Sequence, residues 1–246
     1  MNKEFELTRR QKLQIYPLGD LHIGSPNFSE EFMEHWIDIF NSTKSKKLIY
    51  LQGDLIDVAT KRLGNSAYEQ DMSVNDQIEQ VLGYLEPLKK YIAGSVSSNH
   101  PARIKKEFDL DIEKVMADAL GCEYGASLYH NLKINGEDFK VFAQHGSKTS
   151  QQLHLMLGQV MRQTQHVEAD LVLYGHCHHG ESMSLPSVSM EGYKRKTIVL
   201  TGHFLTYKNS YAEHMGLRPN PCCFPIVNVG YNCAVDVKIV NEDEVF

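Results

Sequence analysis

An α/β fold with a sheet-rich second half is what this sequence predicts, on three observations. Apolar runs of strand length alternate with segments of helical periodicity through the first half. The strand-like runs there end in Gly-Asp or Asn-His turns. In the second half, paired apolar runs are joined by turn residues and helical periodicity thins out. No linker, repeat or low-complexity stretch divides the 246 residues, so 1–246 is expected to form one domain.

The elements follow in order. KLQIYPLGD reads as a strand ending near Asp20, and SEEFMEHWIDIF as an amphipathic helix with Phe32, Trp36, Ile39 and Phe40 on one face. KLIYLQGD is a second strand with the same Gly-Asp ending. Ser73 is placed to cap a helix in which Val74, Ile78, Val81, Leu82 and Leu85 recur at helical spacing. YIAGSVSSNH is a third strand and LDIEKVMADAL a short helix. SLYHNLKI and DFKVFAQHG form a hairpin about Asn135-Gly136, and SQQLHLMLGQVMRQ a further helix. ADLVLYGHCHH is a strand running into a polar loop; KRKTIVLTGHF and PIVNVGYNCAVDVKIV supply the remaining strands.

Composition narrows the function. Apolar residues at 42% and charged residues at 23% are ordinary for a globular protein. No run reaches the length of a membrane span and the first residues are charged, so a cytoplasmic protein without membrane association is expected. A net charge of −6 argues against a surface that tracks a long nucleic-acid backbone, while leaving room for a nucleotide or a short end. The five cysteines form no CxxC pair; the twelve histidines, several beside Asp, Asn or Gly, are the unusual feature.

Five clusters hold the chemistry: GDLH (Asp20, His22), GDLID (Asp54, Asp57), SSNH (Asn99, His100), QHG (His145) and GHCHH (His176, His178). Each occurs by chance often. Together, in this order and each at a strand-to-loop transition, they lie where α/β sheets gather ligands, beyond the carboxyl ends of strands.

The pattern D-x-H, GD-x-x-D, N-H, H, GH-x-H, spanning Asp20 to His178, resembles the calcineurin-like metallophosphoesterase superfamily. The resemblance implies a four-layer α-β-β-α fold, two mixed sheets between helices, of the compact, cap-less type found in bacteria and phages. It implies one metal held by Asp20, His22 and His178, a second held by Asn99, His145 and His176, and Asp54 bridging both. His100 would stand beside the metals as the catalytic histidine. Imidazole nitrogens mixed with carboxylate and amide oxygens suit divalent transition ions and disfavour Ca without choosing among Mn, Fe and Zn; two Mn ions are expected, with Fe, Zn or Ni as alternatives. Such a pair polarises phosphate and yields hydroxide near neutral pH. The function implied is phosphodiester hydrolysis of a nucleotide or nucleic-acid end by a hydroxide between the metals. A phosphomonoesterase, or a non-catalytic scaffold of the same fold, is the alternative.

The sequence departs from that pattern at Ser98-Asn99-His100-Pro101, where the family carries Gly before the Asn and a carboxylate after the His. His100 is therefore expected to lack an ion-pair partner and to take a proton less readily. Asp57 is expected to orient ligand histidines, and Arg103 to grip a phosphate. Cys177 should point away from the metals and His179 should lie exposed. His203, on a late strand, and Tyr68, in a polar loop, are further residues within possible reach of a substrate.

Overall fold

A computed structural model describes residues 2–58, 72–147, 150, 152–189, 192–216 and 218–244. Its first sheet has four parallel strands, β2 (Lys12–Leu18), β3 (Lys46–Leu51), β4 (Ile92–Val96) and β5 (Glu123–Gly125). The antiparallel strands β11 (Cys223–Gly230) and β12 (Val235–Asn241) extend it, giving the order β12-β11-β2-β3-β4-β5. The second sheet contains β1 (Asn2–Phe5), β6 (Ser127–Ile134), β7 (Glu137–Gln144), β8 (Leu171–Tyr174), β9 (Gly180–Ser189) and β10 (Gly192–Thr201). Its order is β1-β6-β7-β8-β10-β9, parallel at β1–β6, β7–β8 and β8–β10 and antiparallel at the two hairpins.

The two-residue period of the central strands dictates the layers. Ile15, Leu48 and Tyr50 point between the sheets, where they meet Leu132, Phe139, Val141, Leu171 and Val199 of the second sheet. Their neighbours Tyr16, Ile49 and Leu51 face the other way. They pack against α1 (Glu30–Ser42), α2 (Val74–Leu85) and α4 (Ile112–Leu120) through Phe32, Trp36, Phe40, Val81, Leu85, Met116 and Leu120. On the far side, Phe142, Val172, Tyr174 and Ile198 pack on Met156 and Val160 of α5 (Leu153–Thr164). The result is the expected four layers, with two mixed sheets inside and helices outside.

Local chemistry sets the boundaries. Ser29 caps α1 by accepting the Phe32 N–H, and Ser73 and Asp76 form a reciprocal capping box at the start of α2. Asn135 and Gly136 both take positive φ, as the two-residue turn between β6 and β7 requires. Three strands and a helix go beyond the sequence reading: β1, β5, β9 and α3 (Ala102–Phe108). The polar loop after β8 turns at once into β9, and β10 stops at Thr201, so His203 lies past the strand and meets Cys223 in an isolated bridge. Among the described residues no helix is long and apolar enough to cross a membrane.

Candidate metal centre

The carboxyl ends of β2, β3, β4, β7 and β8 meet at one end of the sandwich and bring the five sequence clusters together. The GDLH and GDLID segments run side by side: Asp20 N–H donates to the Gly53 carbonyl, His22 N–H to that of Asp54 and Asp57 N–H to that of Ile23. Two parallel neighbouring strands thus end in matched turns. Gly53 is required there, since its φ is +82° and a Cβ would stand 2.5 Å from that of Ser98. Asp20, His22, Asp54, His176 and His178 are themselves left-handed, with φ between 47° and 65°. That conformation costs a non-glycine residue about 1–2 kcal/mol. Half of the ten described non-glycine residues at positive φ are therefore candidate ligands, the clustering expected of a functional site.

Asp20, His22 and His178 form the first group able to hold a cation. The Nε2 atoms of His22 and His178 face each other at 3.2 Å. His22 Nδ1 gives its hydrogen to Asp57 Oδ1 at 3.2 Å, which leaves its Nε2 as an acceptor. Asp20 Oδ2 accepts the His176 N–H at 2.9 Å. Among the described residues Asp20 Oδ1, fully buried, has no hydrogen-bond partner, although His178 Nε2 is 3.3 Å away and His22 Nε2 4.0 Å. Burial would raise the Asp20 pKa, but the imidazoles of His178 and His145 outweigh it and keep the carboxylate ionised. A buried anionic oxygen that no hydrogen bond satisfies, facing two imidazole nitrogens, fits a cation.

Asp54, His145 and His176 form the second group. His145 Nε2 lies 3.2 Å from Asp54 Oδ2 and 2.9 Å from Asn99 Oδ1. Its Nδ1 donates to the Gln52 carbonyl at 2.8 Å, so Nε2 is the nitrogen presented to the centre. Burial favours neutral His145, yet Asp54 and Asp20 prevail and push its pKa up to about 9. Burial alone would likewise raise the Asp54 pKa, and His145 and His22 hold it well below the usual carboxylate range. The buried carboxylates form the floor; His178, with its side chain 35% exposed, and His100, at 20%, line the open side.

His100 is the point at which the structure corrects the sequence reading. Its Nδ1 lies 3.1 Å from Asp57 Oδ1 and 2.8 Å from the Asp57 carbonyl, so Asp57 provides the carboxylate that Pro101 does not. Burial lowers the His100 pKa, but Asp57 and Asp54 more than compensate, and the net shift is upward. Asp57 thereby contacts His22 and His100 together, and those two histidines hold its own pKa far down against the effect of burial. Arg103 Nη2 is 3.2 Å from His100 Nε2, and its Nη1 donates to the Val58 carbonyl at 3.3 Å. A guanidinium only donates, so His100 Nε2 accepts. His22, Asp54 and His100 also lie close enough to surround an ion. Both ring nitrogens of His100 are engaged here, Nδ1 with Asp57 and Nε2 with Arg103.

Around this centre, His203 is buried and stacks on His178, with ring centroids 5.2 Å apart and planes at 14°. The Asn220 amide bonds the His178 carbonyl and lies 3.2 Å from His203 Nε2. Cys177 is buried against the α5 side of the second sheet, and His179 is half-buried where exposure was expected. Tyr68 lies outside the described residues. Two participants went unread in the sequence: Ser98 Oγ accepts the Asp54 N–H, and buried Glu113 accepts from Ser98.

No family model matches the chain, and no curated protein does. Solved structures similar to it include a predicted phosphoesterase from Streptococcus pneumoniae TIGR4, at 13% identity over 94% of this chain and 98% of that one, with a TM-score of 0.39. Vacuolar protein sorting 29 from Cryptosporidium parvum matches at 13% identity over 94% and 97%, with a TM-score of 0.42. A metallophosphoesterase from Sphaerobacter thermophilus matches at 10% over 93% and 87%, with a TM-score of 0.44. Likenesses this distant decide neither family nor activity.

Proposed function

We propose that this chain is a dinuclear metal-dependent phosphoesterase, acting as a phosphodiesterase on a nucleotide or nucleic-acid end. The buried Asp20 Oδ1, which faces the His22 and His178 nitrogens and has no hydrogen bond among the described residues, carries the reading. Asp20, His22 and His178 would hold one divalent ion, Asn99, His145 and His176 the other, with Asp54 shared. When bound, the ions supply Lewis acidity toward a phosphoryl group and a nucleophile at neutral pH. Mn suits the mixed nitrogen and oxygen donors, as do Fe, Zn and Ni.

The chain's own residues do the rest. Asp57 fixes the His22 and His100 rings, and the Gln52 carbonyl fixes that of His145. Arg103 and His100 form an adjacent pair on the open side. A phosphate entering there accepts hydrogen bonds from the guanidinium and draws it off His100 Nε2. That nitrogen is then free to take a proton from solvent and pass it to the leaving oxygen. The net charge of −6 favours a short substrate over a long backbone.

The test is hydrolysis of a panel of phosphomonoesters, phosphodiesters and cyclic nucleotides with Mn present. Diesters should be cleaved fastest; preference for monoesters would instead assign a phosphatase, and no turnover of any would favour a scaffold. His100→Ala should lower kcat about 10²–10⁴-fold with the metals retained, less for a p-nitrophenolate leaving group than for an alkoxide. Loss of metal, or equal losses on both leaving groups, contradicts the acid role.

A further inference from the structure

Asp54 is held by its backbone as well as by its carboxylate. Its N–H donates to Ser98 Oγ at 2.8 Å, and its Oδ1 accepts the His100 N–H at 3.0 Å. The tips of β3 and β4 therefore close a ring that runs from Asp54 to Ser98 Oγ, along Ser98-Asn99-His100, and back to Asp54. Asn99, whose Oδ1 lies 2.9 Å from His145 Nε2, sits in the middle of that ring.

Glu113 anchors the ring from behind. It lies in the first turn of α4 and is 3% exposed. Its Oε2 accepts the Ser98 N–H at 2.7 Å, and its Oε1 accepts the Ser98 hydroxyl hydrogen at 2.5 Å. With that hydrogen committed to Glu113, the lone pairs of Ser98 Oγ are left for the Asp54 N–H. This orientation holds Asp54 at its left-handed φ of 47°. Packing of α4 does not depend on the carboxylate, because Ile112, Met116 and Leu120 are in the core. Burial pushes the Glu113 pKa up to about 7 against the Ser98 hydrogen bonds that favour the carboxylate, and both oxygens serve one serine next to a candidate ligand.

We propose that Glu113 is a positioning residue for the metal centre, acting through Ser98 to fix Asp54 and the Asn99-His100 turn in ligating position. The proposal rests on the reading of Asp54 and Asn99 as ligands. Glu113→Gln offers one acceptor to two donors and disturbs the hydroxyl; Ser98→Ala removes the relay.

Mn binding to metal-free protein, followed by calorimetry, tests this, with thermal unfolding of the metal-free form as control. Each variant should bind Mn about 10–100-fold more weakly, as when groups that orient ligands are lost. The double variant should lose less than the sum of the two single losses, since the hydroxyl relay is common to both while the Glu113 bond to the residue 98 N–H survives Ser98→Ala. A residue that only supports the fold would lower the unfolding temperature and leave Mn affinity unchanged. Unchanged affinity in both variants, or additive losses, overturns the proposal while two Mn in the wild type keep the metal reading intact. Wild type that takes up no Mn overturns the metal reading and the proposal with it. Ser98→Ala, the loss of one oxygen, carries the test should Glu113→Gln not fold.

Discussion

With its Nδ1 hydrogen given to the Gln52 carbonyl, His145 has only Nε2 to offer the centre, and its pKa of about 9 places a proton there at neutral pH. A cation must displace that proton. The folded pKa exceeds the ordinary value of 6.5, so protonated His145 stabilises the metal-free protein below that value and the effect is lost as pH rises through about 9. Mn affinity should accordingly increase with pH up to about 9. Calorimetry in buffers of different ionisation enthalpy should find about one proton or more released per chain near neutral pH. Release of none contradicts the assignment. At this scale the convergence of side chains was legible where a motif presents its residue directly, as at Asp20, Asp54 and His145, which the structure brings into two adjoining groups. Asp57 was legible too as an orienting group, but its hold on His100 was not, because that contact joins two loops 43 residues apart. Glu113 was illegible for a similar reason. In LDIEKVMADAL it reads as an ordinary polar helix position, and only the approach of Ser98 buries it.

Among the elements, α1 shows how periodicity becomes packing. Phe32, Trp36 and Phe40, four residues apart, enter the same core, where Trp36 stacks on Phe40 at 5.3 Å and meets Tyr16 edge-on at 6.0 Å. Trp36→Ala should cost about 3–5 kcal/mol in urea unfolding, the range for deleting a buried aromatic. Trp36→Phe should cost less, since Nε1 has no acceptor to lose. Equal stability of wild type and Trp36→Ala would show that α1 is not anchored by this face. Helices with an apolar stripe and strands with a two-sided apolar pattern were thus readable. The strand β9 was not, because GESMSLPSVS is rich in serine, offers only Met183 and Leu185 to the core and contains Pro186; it is a strand by virtue of its register with β10, ten residues long. Edge strands β1 and β5, of four and three residues, are too short to carry a period of their own.

Across the whole molecule, His130 ties one sheet to the other. From β6 its Nδ1 meets the Tyr50 hydroxyl of β3 at 3.0 Å and its Nε2 meets Glu123 of β5 at 3.2 Å. Burial lowers its pKa below the ordinary 6.5 despite Glu123. The unfolded chain therefore binds the proton more tightly, and stability present above that pH is lost as pH falls through the folded pKa. Urea unfolding should show this loss on the acid side of 6.5, and His130→Gln should flatten it; an equal slope in the variant would exclude His130 as the source. The sandwich in turn brings His145 and His176 of the second sheet to Asp54 of the first, on which the shared-ligand account depends. The most direct test of that account is elemental analysis after Mn loading of wild type, Asp20→Asn and Asp54→Asn. Two ions per chain in the wild type, about one in Asp20→Asn and weakened binding at both positions in Asp54→Asn are expected of a bridged pair. One ion or none in the wild type, or two tightly held in Asp54→Asn, would contradict it.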